Sequence, residues 1–225
     1  MSKGKIIVLE GLDGCGKSTQ LELAFKVLSD MGIPCRLVSF PNYSSPSGEI
    51  ITRYLGGSIP CEGETGAFAA SSFYAADRYI SYVTDWKKDY ESGFVILCGR
   101  YSTSNAIYQM TKMPEERREE YLSWLCDFEY DKLGLPQPDL VIFLDMPLEV
   151  SQQLLTERYG GDERKKDIHE SDLDYMRQCR ESAMHAARHF GWSMVSCSDD
   201  GLTALPVGEI HERTVKIIKD MIQDA

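Results

Sequence analysis

The stretch Ile6-Ile7-Val8-Leu9-Glu10-Gly11-Leu12-Asp13-Gly14-Cys15-Gly16-Lys17-Ser18-Thr19 decides the architecture. Its apolar run is the mark of a strand covered on both faces, and a glycine-rich turn ending in Lys-Ser follows directly. Glycines let successive backbone N–H groups turn inward around a polyphosphate. Lys17 adds a point positive charge, and Ser18, or alternatively Thr19, offers a hydroxyl to Mg²⁺. Beyond the turn, Leu21, Leu23, Ala24, Val27 and Leu28 recur with helical spacing over Thr19 to Met31, until Gly32 and Pro34 stop the pattern. The helix N-terminus then faces the anion, as its dipole favours. The stretch reads as a phosphate cradle made of Gly11, Asp13, Gly14, Cys15, Gly16, Lys17, Ser18 and Thr19.

Working outward, Cys35 to Phe40, Phe94 to Cys98, Leu140 to Leu144 and Ser193 to Cys197 repeat the strand signal. Helical patterns separate them: Glu64 to Tyr90, Ser104 to Met110, Pro114 to Lys132, Pro147 to about Tyr159, Asp172 to Phe190 and Pro206 to Ile222. Alternation of this kind implies an α/β fold, a five-stranded parallel sheet with helices on both faces and right-handed crossovers. Ligands in such sheets bind beyond the carboxyl ends of the strands. The residues to weigh are therefore 10–19, Pro41 to Tyr43, Gly99 to Asn105, Asp145 and Ser198 to Asp200.

Composition narrows the function. With 225 residues and 43% apolar content the chain is expected to form one domain over residues 1–225. A net charge of −11 argues against a general nucleic-acid or membrane-surface partner, since both are polyanionic. Seven scattered cysteines without a C-x-x-C pair suit reduced thiols, and no apolar stretch reaches membrane-spanning length, so a cytoplasmic protein is expected. His185 and His189 are spaced four apart, but no third ligand accompanies them, and the acidic string Glu115, Glu116, Glu119 and Glu120 reads as a solvated helix face.

With those residues in view, the chain resembles the thymidylate kinase family. The carriers are E-G-L-D-G-C-G-K-S-T at 10–19, F-P-N-Y at 40–43, F-Y-A-A-D-R at 73–78, G-R-Y-S-T-S-N-A-I-Y-Q at 99–109, P-D-L-V-I-F-L-D at 138–145 and the basic segment after Gly160. The resemblance implies a three-layer P-loop NTPase fold and transfer of the γ-phosphoryl of ATP to the 5′-phosphate of dTMP with Mg²⁺. It also implies a homodimer, through the faces of Glu64 to Tyr90 and Pro114 to Lys132. Lys17 would hold the β- and γ-phosphates and Ser18 the metal, while Asp13 would lie near the acceptor sugar. Arg78 would donate to a base carbonyl, and Tyr74 or Phe73 would stack on the thymine. Arg100 would grip the acceptor phosphate, bordered by Phe40 and Tyr43. Asn105 and Tyr108 would read the base edge and crowd the sugar 2′ position.

The same resemblance makes 158–170 a mobile lid. Arg158, Arg164, Lys165 and Lys166 concentrate positive charge there, and Arg158 and Arg164 would stabilise the transferring phosphoryl. Gly14 stands where some relatives have an arginine, so the lid would supply that charge. Asp167 and Glu170 match acids that approach the acceptor. One departure stands out: relatives usually carry an aspartate just before the arginine that is Arg100 here, and this chain has Gly99. Asp145, Asp13 or Glu10 would have to compensate through water, or turnover would be slow. A kinase for another pyrimidine nucleotide or nucleoside, and a nucleotide-binding scaffold of weak activity, are the rival readings.

Overall fold

The computed structural model describes residues 3–158, 160 and 172–223, the side chain of residue 158 excepted. Five parallel strands, β1 Lys5–Glu10, β2 Cys35–Ser39, β3 Val95–Gly99, β4 Leu140–Asp145 and β5 Ser193–Ser196, lie in the order β2-β3-β1-β4-β5. The apolar runs explain why both faces are covered. Ile6 and Val8 of β1 join Ile96, Cys98, Val141 and Phe143 in one core, while Ile7 and Leu9 join Val95, Leu97, Ile142 and Leu144 in the other. Burying each such aliphatic side chain contributes roughly 1.5–3 kcal/mol.

Helices α1 Lys17–Asp30 and α9 Val207–Gln223 close the second core with Leu21, Ala24, Leu28, Ile210 and Ile218. The first core is closed by α3 Gly63–Ser81, α5 Thr103–Tyr108, α6 Arg118–Cys126 and α8 Leu173–Phe190, through residues such as Ala67, Ile107, Tyr121 and Met176. The β1-to-β2 crossover therefore leaves on one face and the β3-to-β4 crossover on the other. The crevice where they diverge lies between β1 and β3, which pair from Lys5↔Val95 to Leu9↔Gly99. Ser39 of β2 pairs with Gly99 in turn, so three strand ends converge there.

Three elements differ from the sequence pattern. Helix α2, Pro46–Leu55, was not expected; Ser45 caps it by accepting from the Gly48 N–H, with Pro46 at the first helical position. The expected helix from Glu64 to Tyr90 is broken by a π-helical turn at Tyr82–Trp86 before α4, Lys87–Glu91. Tyr82 and Trp86, four residues apart on one face of this turn, both enter the core, with ring centroids 4.6 Å apart. Pro114 opens its segment with a short 3₁₀ turn, Glu115–Arg117, and α6 ends in a second π-turn, Asp127–Lys132. After β4 comes α7, Leu148–Arg158.

Candidate active site

The loop after β1 is shaped by where a side chain cannot go. Gly14 has φ +84°, and a Cβ there would lie 2.4 Å from the Ser151 carbonyl oxygen of α7. Any side chain at this position, an arginine included, would require the loop or α7 to move. Gly16 precedes α1 with φ +89° and offers no side-chain cap, leaving the first-turn N–H groups open. The Lys17 ammonium curls back across the loop mouth, donating to the Gly11 and Leu12 carbonyls at 2.8 Å each, and stands 3.8 Å from Asp13 Oδ1. A cavity of about 140 Å³ is walled by Asp13, Gly14, Gly16, Lys17 and Ser18 on this side. Gly11, Cys15 and Thr19 lie outside its wall; Cys15 is buried, and its N–H donates to Leu12 within the loop.

A larger cavity of about 370 Å³ adjoins it. Phe40, Tyr43, Tyr74, Arg78, Asn105 and Tyr108 all face into it, as their sequence reading requires. Phe73 does not; both Phe73 and Tyr74 pack edge-on against Tyr54, at 6.3 and 6.2 Å, but only Tyr74 lines the cavity. The Phe40-Pro41-Asn42-Tyr43 loop is fastened to α3 by Asp77, whose carboxylate accepts from the Asn42 N–H at 2.8 Å and the Ser47 hydroxyl at 2.6 Å. One helix thus holds both the floor and the rim.

Asp13, Ser39, Phe40 and Arg100 line both cavities. Arg100 follows β3 with φ +66°, in the left-handed region that non-glycine residues seldom enter and that marks functional positions. This turn aims its guanidinium back at Asp13, with which it forms an ion pair, and lays its Cζ 4.8 Å above the Tyr108 ring. Burial would raise the Asp13 carboxyl, but the Arg100 and Lys17 charges outweigh it and hold its pKa at about 2. Burial would likewise lower the Arg100 guanidinium, and Asp13 more than offsets it. Both groups are ionised at neutral pH. The junction is a buried-edge fork of charge suited to phosphate oxygens.

Of the acids that could stand in for one at Gly99, only Asp13 lines either cavity. Glu10 is fully buried and accepts from the Tyr101 N–H and the Thr103 and Ser104 hydroxyls, fixing the turn after β3. Asp145 is held by Arg180 at 3.0 and 2.8 Å. Gly99 itself walls the smaller cavity beside Ser39. Among residues not singled out in the sequence, Ser104, Gln109 and Tyr175 line the larger cavity, and Glu129 anchors Arg78 from behind it. Tyr175 sits on α8, beyond the segment that no pattern tied to the pocket. Arg164, Lys165, Lys166, Asp167 and Glu170, and the side chain of Arg158, lie outside the described residues. His185 and His189 both approach Glu119, at 2.8 and 2.6 Å, and no metal-binding cluster occurs among the described residues.

A glycine loop closing on a lysine at the switch point of a parallel sheet is the arrangement of P-loop nucleotide-binding proteins. The model of one family of that class, thymidylate kinase, matches residues 9–201. A probable thymidylate kinase of Thermococcus kodakarensis is 26% identical over 227 residues, spanning 96% of this chain and 98% of its own. The thymidylate kinase of Plasmodium falciparum is 29% identical over 214 residues, spanning 95% and 89%. Among solved structures, thymidylate kinase from Candida albicans matches with a TM-score of 0.68 at 21% identity, covering 98% of this chain and 93% of that one. The chain belongs to the thymidylate kinase family.

Proposed function

We propose that the protein transfers the γ-phosphoryl group of ATP to the 5′-phosphate of dTMP, giving dTDP. The observation that carries this reading is the shared wall of Asp13 and Arg100, which makes two cavities meet end to end. The first-turn amides of α1 receive the β- and γ-phosphates, and Lys17 trades its two carbonyl partners for phosphate oxygens. Arg100, kept charged and pointed by Asp13, grips the acceptor phosphate. Tyr74 stacks on the base, Arg78 donates to its carbonyl edge, and Tyr108 crowds the sugar 2′ position, favouring a deoxyribose.

The Ser18 hydroxyl and Asp13 carboxylate at the smaller cavity are hard oxygen donors, a set that fits Mg²⁺. When bound, the ion would neutralise charge on the transferring phosphoryl. The basic segment 158–170 would serve as the lid, with Arg158 and Arg164 acting on the phosphoryl and Asp167 and Glu170 on the acceptor side. The chain then works as one kinase domain of residues 1–225. Homodimerisation is supported by Tyr79, Ile80 and Val83, which expose apolar surface along α3 and its π-turn. Placement in the cytoplasm is supported by seven free cysteines. No described helix is long and apolar enough to cross a membrane.

A coupled assay with ATP and Mg²⁺ against dTMP, dUMP, dCMP, dGMP and thymidine tests the reading. The highest kcat/KM is expected with dTMP and none with thymidine, which has no phosphate for Arg100. Binding of ATP without turnover of any acceptor would favour the scaffold instead.

A further inference from the structure

The larger cavity has a polarity that one buried side chain sets from behind. Glu129, fully buried on the π-turn after α6, accepts from Arg78 through both oxygens: from Nε at 2.7 Å and from Nη2. The oxygen that meets Nη2, Oε1, also accepts from Asn105 Nδ2 at 3.2 Å. A second acceptor, the Ser71 carbonyl, lies 3.4 Å from the same Nδ2. Both neighbours of the Asn105 amide on that side can only accept, so its NH₂ must face them and its Oδ1 must face away. Asn105 Oδ1 has no hydrogen-bond partner among the described residues, and Asn105 lines the cavity. Arg78 gives a third N–H to the Tyr101 carbonyl at 3.3 Å. That leaves two of its five N–H groups for a ligand.

We infer that Glu129 is a positioning residue for base selection: it fixes a donor from Arg78 beside an acceptor from Asn105, the complement of an imide edge. Thymine and uracil present C4=O beside N3–H and satisfy both groups. Cytosine presents an amine beside an unprotonated ring nitrogen, so donor meets donor and acceptor meets acceptor. Leaving buried polar groups unpaired is what discriminates strongly between near-isosteric ligands. The placement of Glu129 on a π-turn fits this role, because such turns re-aim a side chain that a regular helix would carry elsewhere. The inference rests on reading this cavity as the nucleotide acceptor site.

Glu129→Gln tests it. A glutamine keeps one acceptor and puts an NH₂ at the other position, against an N–H of Arg78 or the NH₂ of Asn105, so the two groups are no longer held in a single orientation. The ratio of kcat/KM for dTMP over dCMP is expected to fall at least tenfold, with the KM for ATP unchanged. A merely structural role would weaken both acceptors in parallel, and an unchanged ratio overturns the inference. Should Glu129→Gln fail to fold, two measurements decide without it. Asn105→Ala is expected to lower the same ratio at least tenfold, and 5-methyl-dCMP, which differs from dTMP only at this edge, is expected to inhibit the unmodified enzyme at least a hundredfold more weakly than dTMP binds. A ratio untouched by Asn105→Ala, or equal affinity for the two nucleotides, overturns it. Absence of turnover with dTMP in the unmodified protein would instead sink the acceptor-site reading itself.

Discussion

The two cavities that meet at Arg100 are built on opposite plans. One side of the smaller cavity, Asp13, Gly14, Gly16, Lys17 and Ser18, is a single run of main chain held in shape by glycines and by carbonyls that Lys17 spans, and the ends of β2 and β3 close the other side. The larger cavity takes its walls from Asp13, the β2 loop, α2, α3, the turn after β3, α5 and α8. Its polar readers are fixed by buried charge: Glu129 under Arg78 and Asn105, Glu10 under Ser104, Asp77 under the 40–43 loop. A contiguous cradle depends on local backbone geometry and can bind phosphate with the rest of the protein loosened. A pocket assembled from distant elements exists only while the whole core is packed, so damage to its anchors registers as lost stability as well as lost activity.

The largest test of that contrast removes an anchor on each side. Glu129→Ala leaves the Arg78 guanidinium buried and unpaired, an outcome that costs about 3–5 kcal/mol. In a domain of this size the thermal midpoint is expected to fall by about 10 °C, read by calorimetry. Lys17→Ala, in contrast, removes a charge from a half-open loop. Its kcat is expected to fall about 10³-fold with the midpoint moved by less than about 2 °C. If both variants lost stability equally, the two plans would not differ.

How the sequence could be read follows from the same contrast. The five strands and the cradle were legible because their signal is local: Ile6 to Leu9 followed by Gly11 to Ser18 needs no partner to be recognised. The strand bounds agree within about one residue at most ends. Arg100 and Asn105 fell in the stretch after β3 that the sheet pattern marked, whereas Tyr74, Arg78 and Tyr108 were placed through resemblance, and only the packed fold shows that Tyr74 and not Phe73 lines the cavity. Glu129 carried no local mark at all: it sits among Asp127, Glu129 and Asp131, a pattern that reads as solvent-facing on a regular helix. The π-turn that buries it is a tertiary choice. Helix α2 was missed for the opposite reason, since Ser45, Pro46 and Arg53 are start and stop signals but Gly48 and a short span mask the period.

A smaller effect should be found at the junction itself. Asp13 is held at a pKa of about 2, below the ordinary carboxylate value of 3.8, so its ion pair stabilises the fold above about pH 4 and that contribution is lost as pH falls toward 2. The shift corresponds to about 2 kcal/mol. Asp13→Asn is expected to be less stable than the parent by about that amount at pH 6 in urea titrations, with the difference vanishing near pH 2. A difference that persisted at pH 2 would place the effect of Asp13 in packing rather than charge.

The smallest expected effect lies at Gly99, which walls the smaller cavity without offering it a side chain. A Cβ here would lie 2.8 Å from Leu21 Cδ1 and 3.3 Å from Ser39 Oγ. The nearer atom is the flexible end of a side chain, so substitution displaces Leu21 without distorting the sheet. Gly99→Ala reports that displacement alone, and the step from Ala to Asp then isolates the carboxylate. An added carboxylate at the mouth of the smaller cavity, facing Lys17 and a bound cation, is a partly screened ion pair, worth about 1 kcal/mol or less, or up to about fivefold. Relative to Gly99→Ala, Gly99→Asp is therefore expected to lower the Mg²⁺ concentration for half-maximal rate by up to about fivefold, with kcat changed less than that. A gain in kcat beyond tenfold over the parent would mean that Asp13 and Lys17 leave the phosphoryl charge under-compensated, and the contiguous cradle would then be incomplete without a strand-borne acid.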